Sequence, residues 1–236
     1  MINTLVLDFG RVLGYPMSGN WFIPYGFINY LGIINAVRLF LQNKKLNEAF
    51  NLGNEYLAKN HLLFTEEEEY AQFIEFYKII FAKLKIKMSE KNLGNLAWDI
   101  VYNDNRIKLY DDVIDDIKKL KQKYKVIILS DAWPSLKRVL KNNGILELLD
   151  GLVISCNYNE TKETTKLFEI AAKEHNLIPA ECVYIDDSID NLKNSEKAGF
   201  KPILMDRRNE FENAEYPVIK GLNEIEGVIE GEGSRS

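Results

Sequence analysis

Three carboxylates and one hydroxyl follow short apolar runs in this 236-residue chain, and their types point to chemistry on an anion. They are Asp8 after Leu5-Val6-Leu7, Ser130 after Lys125–Leu129, and Asp186-Asp187 after Cys182–Ile185. An isolated carboxylate is costly to bury inside an apolar strand, so each is expected at the open end of its strand. Clustered carboxylates repel one another unless a cation lies among them, and oxygen-only ligands suit Mg²⁺.

A hydroxyl beside such a cation suits an anionic substrate, most naturally a phosphoryl group. Asp8 is then the predicted nucleophile, forming an aspartyl-phosphate. At ~4 Å and an effective dielectric of about 20, each pair of like unit charges costs ~4 kcal/mol. A carboxylate that attacks a phosphate dianion therefore needs a cation beside it.

Alternating strand and helix patterns predict how these residues meet. Five short apolar runs, near residues 5–7, 125–129, 152–155, 182–185 and 202–205, are separated by helical patterns. This alternation of strand and helix patterns predicts an α/β fold, a doubly wound parallel sheet covered on both faces. Ligands of such sheets bind outside the carboxyl ends of the strands, where the polar residues lie.

A helical block interrupts the alternation between the first strand and the rest. Helices are predicted near 27–41, 45–60, 65–84 and 89–101, the third opened by a capping box of Thr65 and Glu68. We expect an all-helical cap at 15–105, inserted into a core of residues 1–14 and 106–230, with turns at 14–20 and 103–106 as hinges. Residues 231–236 are interpreted as an expression scar.

Composition and charge exclude several classes of protein. A formal net charge of −5, with Lys interleaved among Glu and Asp, argues against a nucleic-acid surface. The most apolar stretch, 22–41, carries Pro24, Asn29, Asn35 and Arg38, so no membrane role is expected. Cys156 and Cys182 each lie in an apolar run and are predicted to be reduced thiols of a cytoplasmic protein. With no basic segment at its start, the chain shows no signal peptide. A monomer or homodimer is expected.

These motifs, in this order along the chain, resemble the haloacid dehalogenase superfamily over nearly all of residues 1–206. The strongest is Tyr184-Ile-Asp-Asp-Ser-Ile-Asp-Asn191. The resemblance implies that Asp8 is both nucleophile and Mg²⁺ ligand, and that Ser130 and Lys162 bind the phosphoryl oxygens. Further roles implied by it are metal coordination by the Gly10 carbonyl and by Asp187, with Asp186 as the alternative, and support from Asn191 and Asp131.

The lysine motif is the loosest of the four. Lys162 follows Ile154-Ser-Cys-Asn-Tyr-Asn-Glu-Thr161, with Asn159 at the family's usual glycine position and Glu163 where a proline is usual. Asn enters left-handed backbone conformations more readily than most residues, so it is tolerable there. Lys162 is the favoured candidate, and Lys166 competes with it.

One departure from the family is chemical. Most phosphatases of the superfamily carry a second Asp, the general acid–base, two residues after the nucleophile, where this chain has Gly10. General acid–base help is usually worth 10²–10⁴-fold, so its loss should slow the reaction without abolishing it. Tyr15, Asp131 and His61 are alternative proton sources, and Arg11 is a candidate for binding a second anionic group.

Three functions stay open at this point. The preferred one is Mg²⁺-dependent hydrolysis of a small phosphorylated metabolite, for example a sugar phosphate, chosen by a closing cap. A 2-haloacid dehalogenase would explain Gly10, yet it uses no metal and leaves Asp186-Asp187 without a role. A non-catalytic binding protein would also fit Gly10, but it gives no reason for the intact acidic residues.

Overall fold

The computed structural model describes residues 1–32, 35, 37, 39 and 43–233. The chain divides into two compact units. Unit 1 comprises Met1–Tyr15, Leu109–Ala132 and Leu136–Ser236, and unit 2 comprises Pro16–Lys108 and Trp133–Ser135.

Unit 1 is built on a six-stranded parallel sheet, which confirms the predicted fold class. Its strands are β1 (Thr4–Leu7), β4 (Lys125–Ser130), β5 (Gly151–Ile154), β6 (Cys182–Asp186), β7 (Lys201–Met205) and β8 (Val218–Ile219), in the order β5-β4-β1-β6-β7-β8. The central strand β1 is at most 1% exposed along its length. Burial on both faces explains why these strands read as continuous apolar runs rather than as alternating patterns.

Helices lie between the strands of unit 1 and after the last of them. They are α5 (Val113–Leu120), α6 (Ser135–Asn142, of which Ser135 itself belongs to unit 2), α7 (Lys166–Glu174), α8 (Ile189–Lys197) and α9 (Ile225–Gly233). The predicted apolar face of α5, formed by Val113, Ile117 and Leu120, is buried. Gly144 follows α6 and Gly199 follows α8, both with positive φ, as expected of glycines that end a helix.

Unit 2 is helical, with α1 (Phe27–Leu31), α2 (Asn43–Lys59), α3 (Glu66–Leu84) and α4 (Glu90–Val101). Both bonds of the predicted capping box are present, from Glu68 N–H to the Thr65 side chain and from Thr65 N–H to the Glu68 carboxylate. An aromatic core forms around Phe73, Phe76 and Tyr77. Phe22 packs against the rings of Phe73 and Phe76.

Three short strands were missed by sequence reasoning. Gly14–Pro16 (β2), expected to be part of a turn, pairs with Ile107–Leu109 (β3), and β8 adds a sixth strand to the main sheet. Strands of two or three residues are too short to show a hydrophobic period in the sequence, so the pattern does not predict them. The prediction of one helix over 27–41 is wrong at Gly32: the helix ends at Leu31, because Gly32 follows it with a φ of 73°. Residues 33, 34, 36, 38 and 40–42 of the predicted stretch lie outside the described residues.

The C-terminal segment is helical through Gly233, and residues 234–236 are not described. Among the helices described, none has the length and apolar character required to cross a membrane.

Candidate active site

Asp8 lies at the centre of the sheet's carboxyl edge. It follows the last residue of β1 directly, its N–H donates to the Ile185 carbonyl at 2.9 Å, and it is 5% exposed. The neighbouring strands β4 and β6 end in Ser130 and Asp186. Because Leu7 pairs in register with both Ile128 and Ile185, the three strands end side by side.

A buried ammonium joins two of these carboxylates. Lys162 Nζ lies 2.7 Å from Asp8 Oδ1 and 2.7 Å from Asp186 Oδ2, and its side chain is 3% exposed. Ser130 Oγ donates to the same Asp8 Oδ1 at 2.8 Å. Lys166 instead pairs with Glu160 and is 63% exposed. Of the two candidate lysines, Lys162 is the one brought to the cluster.

The backbone of Lys162 is held on both sides. The Asp131 carboxylate accepts its N–H at 3.1 Å, and Asn194 Nδ2 donates to its carbonyl at 3.0 Å. Asn159 has φ of 54°, the left-handed conformation expected at this position. These contacts fix the loop after β5 so that the lysine side chain reaches across the ends of the strands.

Asp186 and Asp187 have different surroundings. Asp186 is fully buried and accepts hydrogen bonds from Lys162 Nζ, the Tyr184 hydroxyl, Asn191 Nδ2 and the Ser188 N–H. Asp187 keeps 24% of its side chain exposed and meets Arg11 Nη1 at 3.4 Å. Asp186 therefore holds its neighbours in place by hydrogen bonds, whereas the carboxylate of Asp187 is partly exposed.

Burial and the neighbouring charges shift the pKa values of the clustered groups. Burial raises the pKa of Asp8 to about 7; Lys162 opposes this, and the charges of Asp186 and Asp187 add to it. Burial also lowers the pKa of Lys162, but Asp186 and Asp8 more than offset this and hold it above its ordinary value. Burial and then Asp186 raise the pKa of Asp187. Excess negative charge is thus concentrated at one edge of the sheet.

This donor set fits a hard divalent cation. Asp8, Asp186 and Asp187 each offer an oxygen, and the three oxygens lie within 4.8 Å of one another. Within the described residues, both side-chain hydrogen bonds to Asp8 go to Oδ1, so Oδ2 is left for another partner. Mg²⁺ prefers oxygen ligands and is usually bound by one or two carboxylates, with water or phosphate oxygens completing its coordination.

Arg11 occupies the turn that leaves β1. Its φ is 59°, unusual for a residue with a long side chain, and its N–H donates to the Gly14 carbonyl at 2.6 Å. The N–H groups of Leu13 and Gly14 both donate to the Phe9 carbonyl, closing the turn. Such backbone conformations cost about 1–3 kcal/mol and concentrate at functional sites.

The three alternative proton sources each have neighbours of their own. The Tyr15 ring contacts the Tyr110 ring at 4.8 Å between centroids and a tilt of 45°, and the Asp131 carboxylate accepts the Lys162 N–H. His61 belongs to unit 2, where its ring meets Trp133 edge to face.

Sequence reasoning missed two supporting residues. Tyr184 lies two positions before Asp186 on β6, so the strand's period of two places both side chains on one face. Asn194 lies three positions after Asn191 on α8, a spacing that brings side chains to one helix face. Both signals are present in the sequence.

The family follows from comparison with known proteins. A family model described as haloacid dehalogenase-like hydrolase matches residues 26–199. The chain therefore belongs to the haloacid dehalogenase-like hydrolases, as its motifs, sheet and acidic edge indicate.

Two curated relatives are phosphatases by name. The chain is 26% identical over 146 residues to enolase-phosphatase E1 of Shewanella loihica, covering 57% of this chain and 62% of that protein. It is 23% identical over 156 residues to D-ribitol-5-phosphate phosphatase of Bacteroides thetaiotaomicron, covering 58% and 74%. The first match thus spans less than two thirds of that relative's length.

Solved structures of both hydrolase types share the fold. The L-2-haloacid dehalogenase of Xanthobacter autotrophicus superposes with a TM-score of 0.68 at 16% identity, covering 98% of this chain and 99% of that one. A phosphatase of the same superfamily from Thermococcus onnurineus gives 0.57 at 15% identity, with the same coverage. At these identities the likeness concerns the fold alone.

Replacing Lys162 by Met should lower the free energy of unfolding by about 3–5 kcal/mol at pH 8, measured in urea with chelator present, because it leaves buried carboxylates without a cation. An Asp whose folded pKa is raised favours folding at low pH, and that contribution is lost as the pH rises through the folded pKa. For Asp8 this pKa is about 7 and rises further without Lys162. The loss in free energy of unfolding caused by Lys162→Met should therefore be smaller at pH 5.5 than at pH 8.

Lys166→Met serves as the matched control, since its exposed ion pair is worth roughly 0–1 kcal/mol. Equal losses in the two variants, or a Lys162 deficit that does not change with pH, would contradict this account of the cluster.

Proposed function

We propose that the protein hydrolyses a small phosphomonoester, such as a sugar phosphate, through an aspartyl-phosphate formed on Asp8. The observation that carries the proposal is the junction of Asp8, Ser130 and Lys162 at the carboxyl edge of the sheet, beside two further carboxylates. The names of the two curated relatives support a phosphate ester as the substrate.

Asp8, Asp187 and the backbone carbonyl of Gly10 are the residues proposed to hold Mg²⁺. Asp187 is preferred over Asp186 because Asp186 already accepts four hydrogen-bond donors and is fully buried. The ion would supply the positive charge that allows a carboxylate to approach a phosphate dianion. Asp186 then acts by positioning Lys162, Ser188 and Asn191.

Asp8 supplies the nucleophilic oxygen. As the Asp8 oxygen bonds to phosphorus, the bond from phosphorus to the ester oxygen breaks, and the leaving oxygen takes up a proton from solvent water to become the free alcohol. Ser130 Oγ and Lys162 Nζ, at 2.8 and 2.7 Å from Asp8 Oδ1, are close enough to a phosphoryl group on Asp8 to bind its oxygens. Water then cleaves the aspartyl-phosphate, which releases phosphate and restores Asp8.

Gly10 is expected to make this reaction depend on the leaving group. Most phosphatases of the superfamily have an Asp at this position as the general acid, whereas Gly10 has no side chain that could donate a proton. A leaving group of low pKa departs without a proton, whereas an alkoxide needs one. Aryl phosphates should therefore be hydrolysed faster than alkyl phosphates.

Dehalogenation is the second candidate, favoured by Gly10 because a carbon–halogen bond needs no leaving-group proton. It gives no role to the close approach of Asp8, Asp186 and Asp187. Halide release from a 2-haloacid, assayed beside phosphate release, separates the two reactions.

The purified protein should release phosphate from 4-nitrophenyl phosphate and from a panel of small sugar phosphates only when Mg²⁺ is present. Chelator should abolish the release, and Asp8→Asn should lower it by at least about 10³-fold because the nucleophile is lost. Phosphate release by colorimetric assay is the measurement.

Asp190→Asn is the matched control, since Asp190 is an exposed carboxylate on α8. It should keep the parent rate. Release of halide without release of phosphate would show that the protein is a dehalogenase and not a phosphatase. If neither product is released from any substrate tested, a non-catalytic binding protein would be favoured. An Asp8→Asn enzyme as fast as the parent would exclude the aspartyl-phosphate.

A Gly10→Asp enzyme should gain turnover on alkyl phosphates more than on 4-nitrophenyl phosphate, because only the alkyl leaving group needs the proton. Among the described glycines, positive φ is found at Gly19, Gly32, Gly144 and Gly199, so the φ of Gly10 does not disfavour a residue with a side chain. Steady-state kcat on both esters measures the effect. Equal or lower activity on both would show that the missing acid does not limit the reaction.

A further inference from the structure

The geometry points to Arg11 as a specificity-determining residue that binds a second anionic group of the substrate, either a carboxylate or another phosphate. This inference rests on the proposed phosphatase function and narrows its substrates to small phosphomonoesters with two anionic ends.

Arg11 is close to the reacting groups without being one of them. It follows Asp8 by three residues on the turn that leaves β1, and its Nη1 lies 3.4 Å from an Asp187 oxygen. Asp187 in turn belongs to the carboxylate cluster whose oxygens lie within 4.8 Å of one another. A group bound by Arg11 would therefore be only a few bonds from a phosphoryl group on Asp8.

Most of the guanidinium's hydrogen-bonding capacity is unused. Arginine has five N–H donors, and in the described part of the chain the side chain has one hydrogen-bond partner, Asp187, at a long distance. The side chain is 40% exposed, so the remaining donors are open to a ligand. Arg207 shows the contrast: it is 8% exposed, bonds to Asp112 through both terminal nitrogens, and donates Nε to the Val12 carbonyl.

The charge balance favours an anion beside Arg11. Lys162 already lies between Asp8 and Asp186, whereas the ion pair that Asp187 forms among the described residues is with Arg11. If Asp187 coordinated a divalent cation, the cation would offset its negative charge, and the guanidinium would lose most of its attraction for that carboxylate. The planar guanidinium, no longer paired with Asp187, would then be able to bind the oxygens of a carboxylate or a phosphate.

The backbone of Arg11 gives an independent argument. A φ of 59° suits Gly or Asn, and folding would be easier with either of them at this position. A residue that is strained where it sits, and whose side chain makes one long contact, contributes little to stability. Its position at the active-site turn suggests that the side chain serves the ligand.

The test measures binding of two non-hydrolysable probes by calorimetry with excess Mg²⁺. Phosphonoacetate carries a carboxylate beside its phosphonate, and ethylphosphonate lacks the second anion. The parent protein should bind phosphonoacetate at least tenfold more tightly. Arg11→Asn should lower its affinity for phosphonoacetate about 10- to 100-fold, the range for losing hydrogen bonds to a charged group, and bring the ratio of the two affinities close to one.

Two further variants isolate the effect. Arg11→Lys keeps the charge and should restore part of the preference, whereas Arg208→Asn removes an exposed arginine paired with Glu210 and should leave the ratio unchanged. Propane-1,3-diphosphonate tells whether a phosphate-like second anion is preferred to a carboxylate. The thermal midpoint of Arg11→Asn should equal or exceed that of the parent, because Asn adopts the left-handed conformation more easily.

The outcomes separate this inference from the function beneath it. A parent protein that binds ethylphosphonate but shows no preference for a second anion would overturn the role of Arg11 and leave the phosphatase proposal standing. Equal losses for both probes in Arg11→Asn, with a lower midpoint, would make Arg11 structural and overturn the inference as well. Binding of neither probe would remove both proposals together.

Discussion

The buried ammonium of Lys162, held between Asp8 and Asp186, is the interaction on which the rest of unit 1 depends. Two carboxylates this close and this buried would otherwise repel each other, and removal of one partner from a buried ion pair costs several kcal/mol. With the lysine in place, Asp8 keeps one oxygen engaged and the other open. The same arrangement that makes the edge of the sheet stable therefore leaves it short of positive charge, which suits a divalent cation and an anionic substrate.

The parallel sheet brings these groups together because adjacent strands end at one edge. Asp8, Ser130 and Asp186 arrive on three neighbouring strands, and their separation is set by backbone hydrogen bonds rather than by flexible side chains. Lys162 comes from a loop, so it needs support, which Asp131 and Asn194 provide at its N–H and its carbonyl. Rigid strands position the carboxylates, and a braced loop positions the cation between them.

Sequence reasoning predicted the sheet and the meeting of the carboxylates because both depend on strong local signals: buried strands read as apolar runs, and charged residues are excluded from their interiors. It left Lys162 and Lys166 as competitors, because the choice depends on the loop conformation around Asn159. It also left Asp186 and Asp187 as alternatives, since adjacent residues have the same chemistry and only the bonding of Asp186 to Tyr184, Ser188, Asn191 and Lys162 separates them. The two-residue strand β8 has no period to detect.

The most direct test of this account is calorimetric titration of the protein with Mg²⁺ at pH 6 and pH 8. Because the pKa of Asp8 is about 7, an ion that binds this carboxylate must displace a proton at the lower pH. We expect the affinity for Mg²⁺ to be about tenfold weaker at pH 6, with about one proton released per ion there and almost none at pH 8. Asp8→Asn should lose this pH dependence. Equal affinity at both pH values, or an unchanged pH dependence in Asp8→Asn, would contradict the claim that Asp8 is a ligand of the ion.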